Sequence, residues 1–271
     1  MRVAVIGVGS IGRYLIDGIL AGHAGAARVV GIAGRPGAAE RLASMATRIG
    51  CRWTTDALEL LGEKPDIVVE AASQAAVRQH AVAVLEGGAD LLVMSVGALV
   101  DPALMARITA TAVGHGRRVH VPAGAIGGLD VVRAASLGGL DEVTLITSKP
   151  PRALAGAPFF AAHPVDLDAI GERTVIFEGS AAEAVRLFPA NVNVAAALSL
   201  AGLGAERTGM QVVADPTLDR NVHEVVARGS FGELRLRVAN VPSPANPKTS
   251  FLACLSALAT LRRLAASVQV G

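Results

Sequence analysis

Apolar positions in the first part of the chain come in short continuous runs, separated by stretches with helical periodicity. Arg2 to Ile6 is such a run and predicts a buried strand. It leads through Gly7-Val8-Gly9-Ser10-Ile11-Gly12 into an amphipathic segment that predicts a helix through Ile19. A second strand is expected at about Arg28 to Ala33. Another is expected at Ile67 to Val69, introduced by Pro65-Asp66 and followed by the turn Ala71-Ala72-Ser73. Val77, Ala81, Val84 and Leu85 recur at helical spacing up to Gly87-Gly88, and Leu91 to Met94 is the next strand. Asp101-Pro102 pairs an N-cap with a proline at the first helical position, where a missing N–H is harmless. Strands alternating with helices imply right-handed crossovers and a parallel sheet.

The pattern changes after about Val121. Pro122 to Gly128 is a Gly-rich connection, and Glu142 to Thr147 reads as a strand. Lys149 to Pro164 carries four prolines and reads as a long loop or lid. Strands are expected at Thr174 to Phe177, Gly209 to Ala214, Val222 to Ala227 and Phe231 to Val238. In the last, Leu234, Leu236 and Val238 alternate with Arg235 and Arg237, so one face is wet, as in a mixed or antiparallel open sheet. Asn246-Pro247 reads as a second cap-plus-proline start, for a helix whose buried stripe is Phe251, Leu255, Leu258 and Leu261. The uncharged window Leu187 to Ala205 imitates a membrane span, but Pro189, Asn191, Asn193 and Ser199 make it a poor one. It reads as a buried helix.

Composition fits this picture. Of 271 residues, 52% are hydrophobic and 18% charged, which excludes a disordered chain. Aromatic residues are only 3%, so the core is built from Ala, Val, Leu and Ile, the mix that suits parallel strands under Ala-rich helices. The net charge is +2 with no basic block, and few rings are present for bases to stack on, which argues against nucleic-acid binding. Cys51 and Cys254 stand far apart, so neither a disulfide framework nor a metal site is expected. The glycines at the N-terminus do not resemble a signal peptide. The expectation is a soluble, cytoplasmic protein without membrane contact.

The chemistry begins at Gly7-x-Gly9-x-x-Gly12, between the first strand and first helix. Gly7 permits the tight turn, Gly9 lets a pyrophosphate approach the backbone, and Gly12 lets helix and strand pack closely. Ser10 and Ile11 complete this turn, and Ala72 and Ser73 after the Ile67–Val69 strand are assigned to the same dinucleotide site. An acidic residue after the second strand would favour NAD. The sequence there is Ala33-Gly34-Arg35-Pro36, so Arg35 either meets the 2′-phosphate of NADP or is a solvated surface arginine. NADP is expected to be accepted, alongside NAD. Of six histidines, His223 shares a strand face with Asn221, Val225 and Ala227 within a polar neighbourhood, and is either an acid–base group or a structural ring. Asn191 either caps a helix or recognises a cofactor amide. Lys149 either anchors a substrate carboxylate or is solvated.

Several segments together resemble the L-aspartate dehydrogenase family. They are Val5 to Gly12, Met94 to Leu99, Gly124 to Gly128, Pro189 to Asn193, Ala214 to Pro216, Arg220 to Glu224, and Asn246 to Ser250, and they span nearly the whole chain. The glycine fingerprint is generic, whereas the asparagine, histidine and NPKTS segments are specific. The resemblance implies an α/β fold in which an N-terminal Rossmann domain, completed by the C-terminal helix, accompanies a middle α/β domain whose open sheet makes homodimer contacts. Residues 1–121 with 241–271 would form the first domain and 122–240 the second. It also implies that His223 is catalytic and that Ala125 and Asn191 contact the dinucleotide. The implied reaction is oxidation of L-aspartate with NAD or NADP to iminoaspartate, which yields oxaloacetate and ammonia or feeds nicotinamide cofactor synthesis. The other readings are a related dehydrogenase of the homoserine or dihydrodipicolinate type, or a non-catalytic dinucleotide sensor.

Overall fold

The computed structural model describes residues 1–189, 192–243 and 246–269, with the backbone alone over 246–249. The chain forms two compact units: Met1–Pro122 together with Cys254 onward, and Ala123–Ala253.

The first unit contains β1 (Arg2–Ile6), α1 (Ser10–Leu20), β2 (Arg28–Ala33), α2 (Ala39–Ile49), β3 (Arg52–Thr54), β4 (Ile67–Glu70), α3 (Gln74–Glu86), β5 (Asp90–Val93), α4 (Pro102–Gly114) and β6 (Val119–His120). Among the described residues six strands make one sheet in the order β3-β2-β1-β4-β5-β6, every neighbouring pair parallel. This is the Rossmann arrangement, whose order reverses between β1 and β4. The inner strands are largely apolar because both sheet faces are covered there: Val3, Ala4, Val5, Val69, Leu92 and Val93 have no exposed surface, whereas Arg52 and Trp53 of the edge strand β3 are exposed. Side-chain caps fix two helix starts. Ser73 Oγ accepts from Ala76 N at α3, and Asp101 Oδ1 accepts from Ala103 N and Leu104 N at α4.

The second unit contains α5 (Leu129–Gly138), β7 (Leu140–Lys149), α6 (Phe159–Ala162), β8 (Thr174–Ser180), α7 (Ala181–Leu187), α8 (Val192–Ala201), β9 (Gly209–Ala214), β10 (Val222–Gly229), β11 (Gly232–Ala239), β12 (Pro242–Ser243) and β13 (Asn246–Ser250). Its main sheet runs β11-β10-β7-β9-β8, with β7 and β9 parallel and the other neighbours antiparallel. The sheet is therefore mixed. Val143, Leu145, Met210, Val212, Val225 and Ala227 of one face join α5, α7 and α8 in a core, whereas Thr144, Ile146, Gln211, Val213, Glu224 and Val226 of the other face are not part of it.

Four expectations need correction. The Pro-rich stretch is no free lid. Leu154 and Phe159 are buried, and the Phe159 ring stacks on Phe188 at 5.1 Å and on His163 at 4.3 Å. Each such anchor contributes about 2 kcal/mol of apolar burial. Asn246-Pro247 does not start the last helix. The chain stays extended through β13, paired with β12, and α9 (Phe251–Ala265) begins where Phe251 N donates to Val241 O. Residues 241–253, expected with the first domain, thus cluster with the second unit. The buried stripe of α9 is Cys254, Ala257, Leu258 and Leu261, with Leu255 turned outward. Gly18 of α1 makes room for it, since a Cβ there would lie 2.5 Å from Leu258 Cδ1. Of the uncharged 187–205 window, α8 covers only Val192–Ala201, and among the described residues no helix is long and apolar enough to cross a membrane.

Candidate active site

At the order reversal of the first sheet, the C-terminal ends of β1 and β4 open into a cavity of about 740 Å³. Its lining includes Gly7, Gly9, Arg35, Arg41, Ala72 and Ser73. Gly7 has φ +97°, and a Cβ on it would lie 2.7 Å from Ala71 O, so only glycine closes this turn. A Cβ on Gly12 would lie 1.8 Å from Gly7 O, which makes Gly12 a packing residue of the β1–α1 corner. Gly9 is different: a Cβ there meets nothing within 4 Å, so the protein itself does not demand glycine. The space beside Gly9 and the N-terminus of α1 together suit phosphate oxygens. A dinucleotide fits this set. Ser10, Ile11 and Gly12 do not line the cavity but form the first turn of α1 behind it.

The opposite strand end is organised by Glu70. Its carboxylate is buried and accepts from Ala72 N and Ser73 N at 2.8 Å, and from Ser95 N and Ser95 Oγ at 2.9 Å. Burial pushes its pKa up, and these four donors offset that only in part. Glu70 thereby clamps the turn that carries Ala72 and Ser73, and spends their backbone donors in doing so. Arg35 is exposed at the cavity edge, with Arg41 of α2 beside it on the lining. His80 of α3 also lines the cavity, with Nδ1 buried and partnerless.

In the second unit, β7 and β10 pair so that Thr147 stands directly across from His223. Their Oγ1 and Nδ1 lie 3.0 Å apart, with both residues buried. Lys149 lies two residues along β7, on the same face, and is only 6% exposed. It is the last residue of the strand rather than a solvated lysine beyond it. Neither Lys149 Nζ nor His223 Nε2 has a hydrogen-bonding or ionic partner among the described residues. Burial, then the Lys149 charge, lowers the His223 pKa to about 4, and burial lowers that of Lys149. The ring is thus a neutral group in the free protein, with one nitrogen held and the other open. Such a pair can take up a proton beside a bound carboxylate.

Residues 130–264 match the family described as aspartate dehydrogenase, C-terminal, and residues 7–122 match the NAD-binding domain of homoserine dehydrogenase. Over its whole length the chain is 46% identical to the L-aspartate dehydrogenase of Methanocella arvoryzae and spans 99% of it. The chain belongs to the L-aspartate dehydrogenase family. Another member, from Ralstonia nicotianae, is 48% identical over 77% of each chain. The crystal structure of the family's Thermotoga maritima enzyme is 28% identical, with a TM-score of 0.76 over 100% of this chain and 99% of that one. An amine dehydrogenase from Mycobacterium smegmatis, 17% identical with a TM-score of 0.56, shares the fold.

Two constellations therefore emerge from the expected residues. Gly7, Gly9, Arg35, Ala72 and Ser73 meet around the first unit's cavity, and His223 and Lys149 meet in the second unit. Ala125 is also in the second unit, buried, with its carbonyl accepting from Asn240 Nδ2 at 3.1 Å. Asn191 lies outside the described residues. Glu70, Arg41 and Thr147 carry no signal in the sequence, and His80, which reads there as a helical histidine without polar company, lines the cavity. Glu70 and Thr147 end or precede apolar runs that read as ordinary strand, and only register reveals what they face.

Proposed function

We propose that this protein oxidises L-aspartate, with NAD or NADP as hydride acceptor, to iminoaspartate, which water converts to oxaloacetate and ammonia. The observation that carries the reading is the neutral imidazole of His223 beside the partnerless ammonium of Lys149, in a chain of this family. A bound dinucleotide would supply the hydride acceptor, its nicotinamide ring. The protein's residues do the rest. Gly7, Gly9, Ser10, Ile11 and Gly12 seat the pyrophosphate, Ala72 and Ser73 wall it, and Arg35 meets the 2′-phosphate of NADP. Ala125 and Asn191 add dinucleotide contacts.

Lys149 pairs with one substrate carboxylate. A bound dicarboxylate also offsets the Lys149 charge at His223, which raises the affinity of Nε2 for a proton at the moment chemistry needs it. Nε2 accepts a proton from the substrate ammonium, so that the free amine can expel hydride. After that proton has passed to solvent, Nε2 takes one from the water that adds to the iminium, and gives it to the nitrogen that departs as ammonia. The domain roles follow, with dinucleotide binding in the first unit and catalysis and dimer contacts in the second. We place the reaction in the cytoplasm, where iminoaspartate would feed nicotinamide cofactor synthesis; a deletion strain that grows without added nicotinate would argue against that use.

The test offers aspartate, homoserine, glutamate and alanine separately with NAD and with NADP, and follows the reduced cofactor by its near-ultraviolet absorbance. Aspartate should be the substrate, and His223→Ala should cut turnover by about 10²-fold or more while dinucleotide binding survives. Arg35→Ala should weaken NADP more than NAD. Turnover of homoserine but not aspartate would sink the reading, and full activity in His223→Ala would sink the assignment of the imidazole.

A further inference from the structure

Thr147 has a place in the site that the reaction above does not use. It is fully buried, sits directly across from His223 in the β7–β10 register, and its hydroxyl has Nδ1 of that ring as hydrogen-bond partner at 3.0 Å. On the other side of His223, its register partner on β11 is Val238, which is apolar. Lys149 on β7 is the charged group that acts on the ring. The imidazole is thus gripped at one nitrogen by a neutral side chain, with Nε2 open.

A hydroxyl suits a ring that must change protonation state, because it can both donate and accept. Towards the neutral ring it donates to Nδ1 or accepts from Nδ1–H, according to the tautomer. Towards the imidazolium it accepts from Nδ1–H, a charge-assisted bond roughly twice as strong as a neutral one. A carboxylate at this position would have raised the ring's proton affinity permanently and opposed the anionic substrate. An alkyl group would have left a buried N–H orphaned whenever the ring was charged.

We propose that Thr147 is a positioning residue of the reaction: it fixes the His223 ring with Nε2 presented to the substrate and supports the imidazolium that forms when Nε2 takes a proton. The inference rests on the reading of His223 given above, and the experiment separates the two. Thr147→Val keeps the β-branched shape and removes only the hydroxyl. Losing the acceptor for Nδ1–H costs the charged ring more than the neutral one, so proton uptake becomes harder. The variant should lose about tenfold or more in kcat, with KM for aspartate within about twofold and the dinucleotide dissociation constant unchanged. The acid limb of its pH–rate profile should move to lower pH, and Thr147→Ser should restore both rate and profile.

A merely structural threonine predicts another pattern, in which the valine variant is as active as the parent, or serine and valine are equally impaired in proportion to lost melting temperature. Should valine fail to fold, Thr147→Ala is the second hydroxyl-free variant, and the same split between kcat and KM is expected of it. If His223→Ala is inactive while Thr147→Val works within twofold and with an unmoved profile, the role of Thr147 is overturned and that of His223 stands. If His223→Ala itself retains activity, both are overturned.

Discussion

His223 shows how burial sets the chemistry of a single side chain. An exposed imidazole titrates near 6.5, but here desolvation, helped by the Lys149 charge, lowers the value to about 4. The free protein therefore holds a neutral base across the physiological range instead of a half-charged ring, and the depressed pKa has a consequence for stability. Between about pH 6.5 and 4 the unfolded chain binds a proton that the folded protein refuses, so the stabilisation is complete above the unfolded value and is lost as the pH falls through this window. The size is on the order of 3 kcal/mol for a shift of this extent. Urea midpoints measured from neutral pH down to 4 should fall more steeply for the parent than for His223→Gln. Parallel slopes would show that the ring is not kept neutral by the fold.

Elements depend on residues that sequence spacing treats alike. Gly9 and Gly12 belong to one fingerprint, yet the structure gives them opposite tasks. Gly12 is where α1 touches the β1 turn, with its imagined Cβ 1.8 Å from Gly7 O, while Gly9 faces open space. Gly12→Ala should destabilise the first unit by about 1–3 kcal/mol or more, as overpacking does. Gly9→Ala should leave the melting temperature within a degree or so while weakening dinucleotide binding about tenfold, the cost of a methyl group against a phosphate. Calorimetry and a cofactor titration separate the two, and equal loss of stability in both variants would contradict the division. Helix boundaries follow the same logic. Asp101-Pro102 starts α4 because its carboxylate is free to cap, whereas Asn246-Pro247 lies in a strand whose backbone is already paired with β12. The β3 strand carries too few apolar residues to announce itself, whereas α2 has Leu42, Met45, Ala46 and Ile49 at helical spacing and was legible in the pattern. The strand forms because β3 completes the sheet beside β2.

At the scale of the molecule, the second sheet has one face packed by helices into a core, and another, around Ile146 on the central strand, whose residues lie outside that core. We propose that this face joins two copies of the chain. Ile146→Lys should convert dimers to folded monomers in sedimentation experiments at micromolar concentration, and an unchanged sedimentation coefficient would point to a different contact. The architecture was largely legible in the order of residues. Apolar runs bounded by glycine and capped helix starts dictate a parallel sheet, because the inner strands of such a sheet are buried on both faces and must be apolar. The glycine turn was legible for a similar reason, since a positive φ and a close approach leave one residue type to choose from. What the sequence could not decide were encounters between distant positions: Thr147 with His223, Glu70 with the turn at Ala72 and Ser95, Gly18 with Leu258. Strand register and helix docking bring these together, and the burial that results, not the identity of the residues, makes the imidazole neutral and leaves Lys149 without a partner among the described residues.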